Sequence, residues 1–409
     1  MNDSKKIETK NIIQKVLFVV WGVMLVLYGV ACVYLYYMQA GYTEGGLFES
    51  DLYAHIDMAM DGWGYSVTAI VYRLFGFLPL SHLWIAVFLA IFTIGGIVLT
   101  AWVLKPYVKN RFAAMVIATA CGMAMPFYIE SIQATRYIGY QSPSIWHNST
   151  YIVMKVFATL ALFLCFGIAK KYGKEKPDWK HCVWFAVLLA LTTATKTSFV
   201  AVFAPAAVCM LIADGIAGVP MKRLLAVATT IIPTILVVLF QEAVLFGEDT
   251  GNGIVIDFGY TVFLRAETPQ YTMILSALFP VLIFLVNIYG VLKDTIQDFK
   301  QKRKDLTHRE FLVSWTMWFF GALELLFLKE TGTRAKDANF AWGYSICLFY
   351  LFIVSCLYFI RNLKSKTFLK GNKAAKIIYG VLMGTILGYH VYCGIYFFLC
   401  LLEGTTYFM

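Results

Sequence analysis

Residues 17–39, LFVVWGVMLVLYGVACVYLYYMQ, run from one side of a bilayer to the other without a charged side chain. An uninterrupted apolar stretch of this length matches the roughly 20 residues that an α-helix needs to cross a hydrocarbon core. It is too long for the core of a cleaved leader and has no clear small-residue cleavage site, so it reads as a resident helix. Working outward, comparable runs recur at 83–104, 112–128, 150–169, 182–195, 198–217, 224–241, 271–292, 311–328, 345–360 and 377–402, eleven in all. The fifth is short and forms with the sixth a tight hairpin or a broken helix. Mean hydropathy is +0.70, and only 14% of residues are charged against 60% hydrophobic. The fold expected is all-α and polytopic, a single integral-membrane domain over 1–409 with no internal repeat and no soluble domain.

Charge sets the orientation. Of the 34 Lys and Arg, 26 lie in the segments 1–16, 105–111, 170–181, 219–224, 293–310 and 361–376, which are alternate loops. The positive-inside rule makes these cytoplasmic, giving a cytoplasmic N-terminus and a C-terminus outside. The formal net charge of +10 therefore records topology and gives no reason to expect nucleic acid. All nine cysteines fall in or beside spans with no paired spacing, which predicts packing residues rather than disulfides or a metal centre.

Three polar clusters on the outer side stand out. Phe48-Glu49-Ser50-Asp51-Leu52-Tyr53-Ala54-His55-Ile56-Asp57 follows the first span, between Glu44 and Asp61. If helical, it places Asp51 and His55 on one face and rotates Asp57 away. Carboxylates beside an apolar interface suit a general base; an acidic loop cap fits the same residues. Downstream, Tyr65 to Phe75 reads as an amphipathic helix along the interface, which makes this first outer loop a structured one.

The second cluster joins Arg136 to Trp146-His147-Asn148 in the segment 129–149. Such a loop has sugar-binding character, with aromatic faces for stacking and amide and imidazole for hydroxyls, although Trp and Tyr are also ordinary interface anchors. The third is the segment 329–344, where Glu330, Arg334, Lys336, Asp337 and Asn339 would clamp a phosphate or neutralise one another. Outer or intramembrane cations are Arg73, Arg136, Lys155, Lys196, Arg265, Lys329, Arg334 and Lys336. A charge at mid-membrane costs about 2.5–3.5 kcal/mol on insertion scales, so such residues face a cavity or a partner. Lys196, in Thr193-Ala194-Thr195-Lys196-Thr197-Ser198, sits where the chain turns. Hydroxyls around an ammonium suit a phosphate, and a snorkelling lysine fits the same pattern.

An N-in first span, an acidic outer loop with a surface helix, and a lysine at the outer turn of a mid-chain helix pair resemble the type-C (GT-C) integral-membrane glycosyltransferases. The match is architectural over most of the chain and local at Glu49 to Asp57 and Lys196. The large soluble domain of many members is missing, as in compact bacterial ones. The resemblance implies inverting transfer of a sugar from a polyprenyl-phosphate carrier to a cell-envelope glycan or lipid acceptor, on the extracellular or periplasmic face of the cell membrane.

It makes Asp51 the base, with Asp57 and Glu49 as rivals. Lys196, Arg136, Arg334 and Lys336 would hold the donor phosphate, and Glu49, His55, Trp146, His147, Asn148 and Asn339 would contact substrate. No cofactor is implied, while a pyrophosphate substrate would leave room for a divalent cation. Two other readings use the same residues: a transporter or flippase of a lipid-linked anionic sugar, with Glu242, Glu324 and His390 relaying protons, and a surface-glycan ligase or polymerase that relies on arginines. A structural envelope subunit would tolerate loss of any of these side chains.

Overall fold

The computed structural model describes residues 2–62, 64–247, 251–263 and 265–407, with side chains from Ile12 onward. The N-terminal lysines Lys5, Lys6 and Lys10 of the charge argument thus have side chains outside the described residues. The chain is 73% helical. Its helices are α1 (Asn2–Ala40), α2 (Asp51–Met60), α3 (Val67–Gly76), α4 (Ser81–Val103), α5 (Arg111–Met123), α6 (Ser149–Tyr172), α7 (Trp179–Thr195) and α8 (Ser198–Ile216). Then follow α9 (Met221–Ala228), α10 (Ile232–Phe246), α11 (Tyr260–Phe263), α12 (Pro269–Ser276), α13 (Leu278–Lys300), α14 (Arg309–Phe327), α15 (Ala341–Lys364) and α16 (Lys373–Leu402). One short antiparallel ribbon, β1 (Ile254–Ile256) with β2 (Leu328–Glu330), ties two connecting segments together in the register Ile254↔Glu330 and Ile256↔Leu328.

Among the described residues, nine helices are long and apolar enough to cross a membrane, two fewer than the apolar runs suggest. The differences are α5, with 13 residues, and α7, with 17. Pro126 explains the first. It lacks an amide hydrogen, its ring clashes with the carbonyl four residues back, and it drives Met125 out of the α-region. The helix ends at Met123, and the chain continues extended. The carbonyl that Pro126 frees, that of Gly122, is taken by the Ser144 hydroxyl at 2.8 Å. Met125 N–H donates to the His390 carbonyl at 3.0 Å and Phe127 N–H to that of Leu275 at 3.0 Å. Irregular backbone in an apolar surround must be satisfied by protein in this way. His390, fully buried, completes the joint by donating from Nδ1 to the Met125 carbonyl at 2.6 Å. Its Nε2 accepts from Phe279 N–H at 3.4 Å, which caps the start of α13. Gly394 lets α16 approach, since a Cβ there would stand 1.6 Å from the Met123 carbonyl oxygen.

The core sits on α15 and α6. The most apolar window of α15 is 83% buried and that of α6 72%, against 17% for α1. Similar hydropathy thus serves central and peripheral helices alike, because lipid is as apolar as a leucine-rich interior.

Polar groups gather at the two ends of the bundle. At one end the buried Arg309 and Asp214 form an ion pair that also binds Tyr172, and Lys170 pairs with Glu310 at 2.7 Å. Beside them, His308 bridges Asp294 at 2.9 Å and Tyr358. Two of the alternate basic segments, 170–181 and 293–310, meet here. The opposite end carries α2, the start of α6, the α7–α8 turn and the segments around 265, 330–339 and 407.

Candidate functional site

Ser50, with its hydroxyl accepting from Leu52 N–H at 3.2 Å, starts α2 and makes Asp51 the first helical residue. A carboxylate there is favoured by the unpaired amides and dipole of the helix N-terminus. Across from it, Asn148 starts α6. Its Oδ1 accepts from Tyr151 N–H at 2.9 Å and from the Thr150 hydroxyl at 2.8 Å. Those bonds fix the amide, so its Nδ2 points outward and donates to Asp51 Oδ2 at 2.7 Å. Tyr407, from the segment after α16, donates to Asp51 Oδ1 at 3.4 Å and stacks on His147, with ring centroids 4.3 Å apart. Both carboxylate oxygens are therefore held from outside α2.

Lys196 caps α7 in extended backbone, with its own N–H bonded to the Thr192 carbonyl. Its ammonium donates to Thr150 Oγ1 at 3.3 Å and lies 5.0 Å from the Trp342 ring centroid. A directed chain results: Lys196 to Thr150, Thr150 to Asn148, Asn148 to Asp51. Each donor polarises the next, a cooperative arrangement in a low-dielectric setting. Among the described residues no carboxylate lies within ion-pair distance of Lys196, in contrast to Arg334, which contacts Glu330 at 3.1 Å and Asp337 at 3.8 Å. Asn339 closes that second knot by donating to Glu330 at 2.6 Å.

These groups line one cavity of about 470 Å³. Burial pushes the Asp51 carboxyl up, yet the neighbouring imidazoles, the Asn148 amide and Lys196 outweigh it and hold the group below its ordinary value. Burial pushes His55 and His147 down to about 4. Both are uncharged at pH 7, which leaves Asn148, Lys196 and the helix N-terminus to keep Asp51 ionised. Burial likewise pushes the Lys196 ammonium down to about 8. For Arg334 burial opposes the charge, and Glu330 and Asp337 more than offset it.

The cavity gathers Asp51, His55, His147, Asn148, Lys196, Arg334, Lys336 and Asn339 from the residues singled out in the sequence. Five others lie elsewhere. Asp57 is exposed, six residues along α2 and on a different face. Glu49 comes close to Tyr407 without reaching the cavity wall. Arg136 is sandwiched between Tyr128 and Tyr396, 4.1 and 4.4 Å from the two ring centroids. Trp146 turns inward and donates to Tyr28 at 2.7 Å, because successive residues of an extended segment point opposite ways and His147 takes the cavity side. Lys155 lies 4.9 Å from the Phe349 ring centroid, away from this cavity.

The cavity adds Tyr407, Tyr137, Trp342 and Glu324, together with Arg265, whose guanidinium donates to the Lys336 carbonyl at 2.8 Å. Arg265 was visible as a cation against the charge rule; nothing local in the sequence singles out Tyr407. Among the described residues no group of three or more His, Cys, Asp or Glu is arranged to hold a metal ion.

An ionised carboxylate with fixed oxygens, an ammonium without a counter-ion and a wall of aromatic rings can together bind an anionic substrate and accept a proton from it or from a second one. No protein-family model matches the chain, and no curated protein does.

Proposed function

We propose that this chain is an integral-membrane glycosyltransferase, moving a sugar from a polyprenyl-phosphate carrier to a cell-envelope glycan or lipid acceptor. The observation that carries the reading is the hydrogen-bond chain from Lys196 to Asp51 within one cavity. It couples a cation suited to a phosphate leaving group with a carboxylate suited to an acceptor hydroxyl. In the reaction the acceptor oxygen attacks the anomeric carbon as its proton passes to Asp51. The bond from that carbon to the phosphate oxygen breaks on the opposite face, the electron pair leaves on the carrier phosphate, and configuration inverts. Lys196 and Arg265 face the charge that grows on the phosphate. Asp51 is a weak base that is always available, and its proton moves late, as the acceptor oxygen gains bonding to carbon.

Eleven crossings fit this scheme, with α5 extended by 124–128 and α7 supplying the two that fall short as helices. The basic end then faces the cytoplasm, and the cavity opens to the extracellular or periplasmic side. A ligase working through free arginines is less well supported, since Arg136 is held between tyrosines and Arg334 between carboxylates.

The test is transfer of labelled sugar from a set of polyprenyl-phosphate donors by purified protein in lipid. Asp51→Asn should lose at least about a hundredfold in turnover, the lower end of what a positioned base supplies. Asp57→Asn should keep the wild-type rate. An Asp51→Asn protein with full turnover would remove the assigned base.

A further inference from the structure

The α14 helix carries Glu324 inside its apolar span, one turn from the end. A carboxyl at that depth is expensive and ordinarily has a cation or donor beside it. Among the described residues Glu324 has neither: it takes part in no side-chain hydrogen bond or ion pair. What it has is space. A Cβ at Gly343 of α15 would lie 2.5 Å from Glu324 Oε2 and 2.9 Å from Val202 Cγ1. The bare backbone at 343 gives the carboxyl its seat, and from there it lines the main cavity.

Two further polar groups that line the cavity, Ser345 and Gln141, are uncharged. Ser345 donates to Gln141 Oε1 at 3.4 Å, while the Gln141 side-chain amide nitrogen finds no protein acceptor among the described residues. The Glu324 carboxyl, the Gln141 amide and the Ser345 hydroxyl line one cavity and offer it hydrogen-bonding groups suited to hydroxyls. The cavity therefore has two chemistries: cations at Lys196 and Arg265, and hydrogen-bonding groups without a counter-ion at Glu324, Ser345 and Gln141.

We infer that Glu324 and Gln141 form a subsite that reads the hydroxyls of a neutral sugar on the carrier-linked donor. The inference rests on the transferase reading, and it predicts separable effects on the two halves of one ligand. Binding would be measured by quenching of intrinsic tryptophan fluorescence in lipid nanodiscs. The probes are undecaprenyl phosphate and its glucose, galactose, mannose and N-acetylglucosamine esters. Wild type should bind at least one ester about tenfold or more tighter than the bare carrier. Glu324→Ala should abolish that advantage and leave bare-carrier affinity within about twofold, whereas Lys196→Ala should weaken both ligands alike.

Glu324→Gln, which preserves size and hydrogen-bonding capacity, should unfold at the wild-type temperature and keep part of the preference. A sugar preference that survives Glu324→Ala, or an equal loss for ester and bare carrier, would overturn the subsite. The absence of any preference in wild type would do the same while sparing the anion site. Failure of wild type to bind any of the five lipids would remove the transferase reading and the subsite with it.

Discussion

Lys196 should give this protein an alkaline limit that an arginine removes. Its ammonium is buried and pushed down to about 8. At pH 7 it is almost fully charged, and at pH 9 only about a tenth of the molecules keep the charge. A charge-assisted bond to phosphate is worth about 1.5–3 kcal/mol, roughly 10- to 150-fold in affinity. The affinity for undecaprenyl phosphate should thus stay level to about pH 7.5, then fall by up to tenfold per pH unit until that ceiling is reached. Carrier phosphate is already dianionic across this range, so the bend reports the protein. In Lys196→Arg the curve should be flat from pH 7.5 to 10, because a guanidinium does not titrate there. In Lys196→Met it should be low and flat. Titration of fluorescence quenching at half-unit steps would decide. A bend near pH 8 that persists in Lys196→Arg would refute the assignment of the anion site, as would a wild-type curve with no bend.

Asn148→Ala removes both a helix cap and a donor to Asp51. It should cost about 1 kcal/mol of stability from the lost cap, seen as a small drop in unfolding temperature, and a larger loss of turnover. Asn148→Asp keeps the cap but sets a second carboxylate against Asp51, so near-wild-type stability with little activity is expected; retained activity would show that the amide is dispensable. Gly394→Ala should destabilise by at least the 1–3 kcal/mol typical of overpacking, since its Cβ would overlap the Met123 carbonyl. Thermal unfolding in detergent measures this, and an unchanged midpoint would contradict the described α5–α16 approach.

The apolar runs and the alternation of basic loops were legible because both follow from local composition. The early end of α5 was also written in the sequence, in Pro126, but hydropathy overrides it: the run 112–128 stays apolar through the break. Asp51, Lys196 and Asn148 were visible as polar groups out of place, and a capping asparagine before Thr150-Tyr151 is a local signal. Which way Trp146 and His147 point was not visible, because an extended segment gives neighbours opposite directions without saying which is inward. Tyr407 meets Asp51 across 356 residues, and no window of sequence contains that contact. The seat of Glu324 depends on a glycine on another helix, a relation that only packing reveals.

The join between α5 and α16 also constrains biogenesis. Residues 124–128 leave the translocon as part of an apolar stretch, yet the Met125 and Phe127 amides find their partners outside it. The Met125 amide waits for the His390 carbonyl, on a helix made 265 residues later. Until α16 arrives, that backbone must stay hydrated, at a lipid edge or inside the insertion machinery. Nascent chains stalled before residue 390 should therefore keep Cys121 open to water-soluble thiol reagents, and full-length protein should shield it.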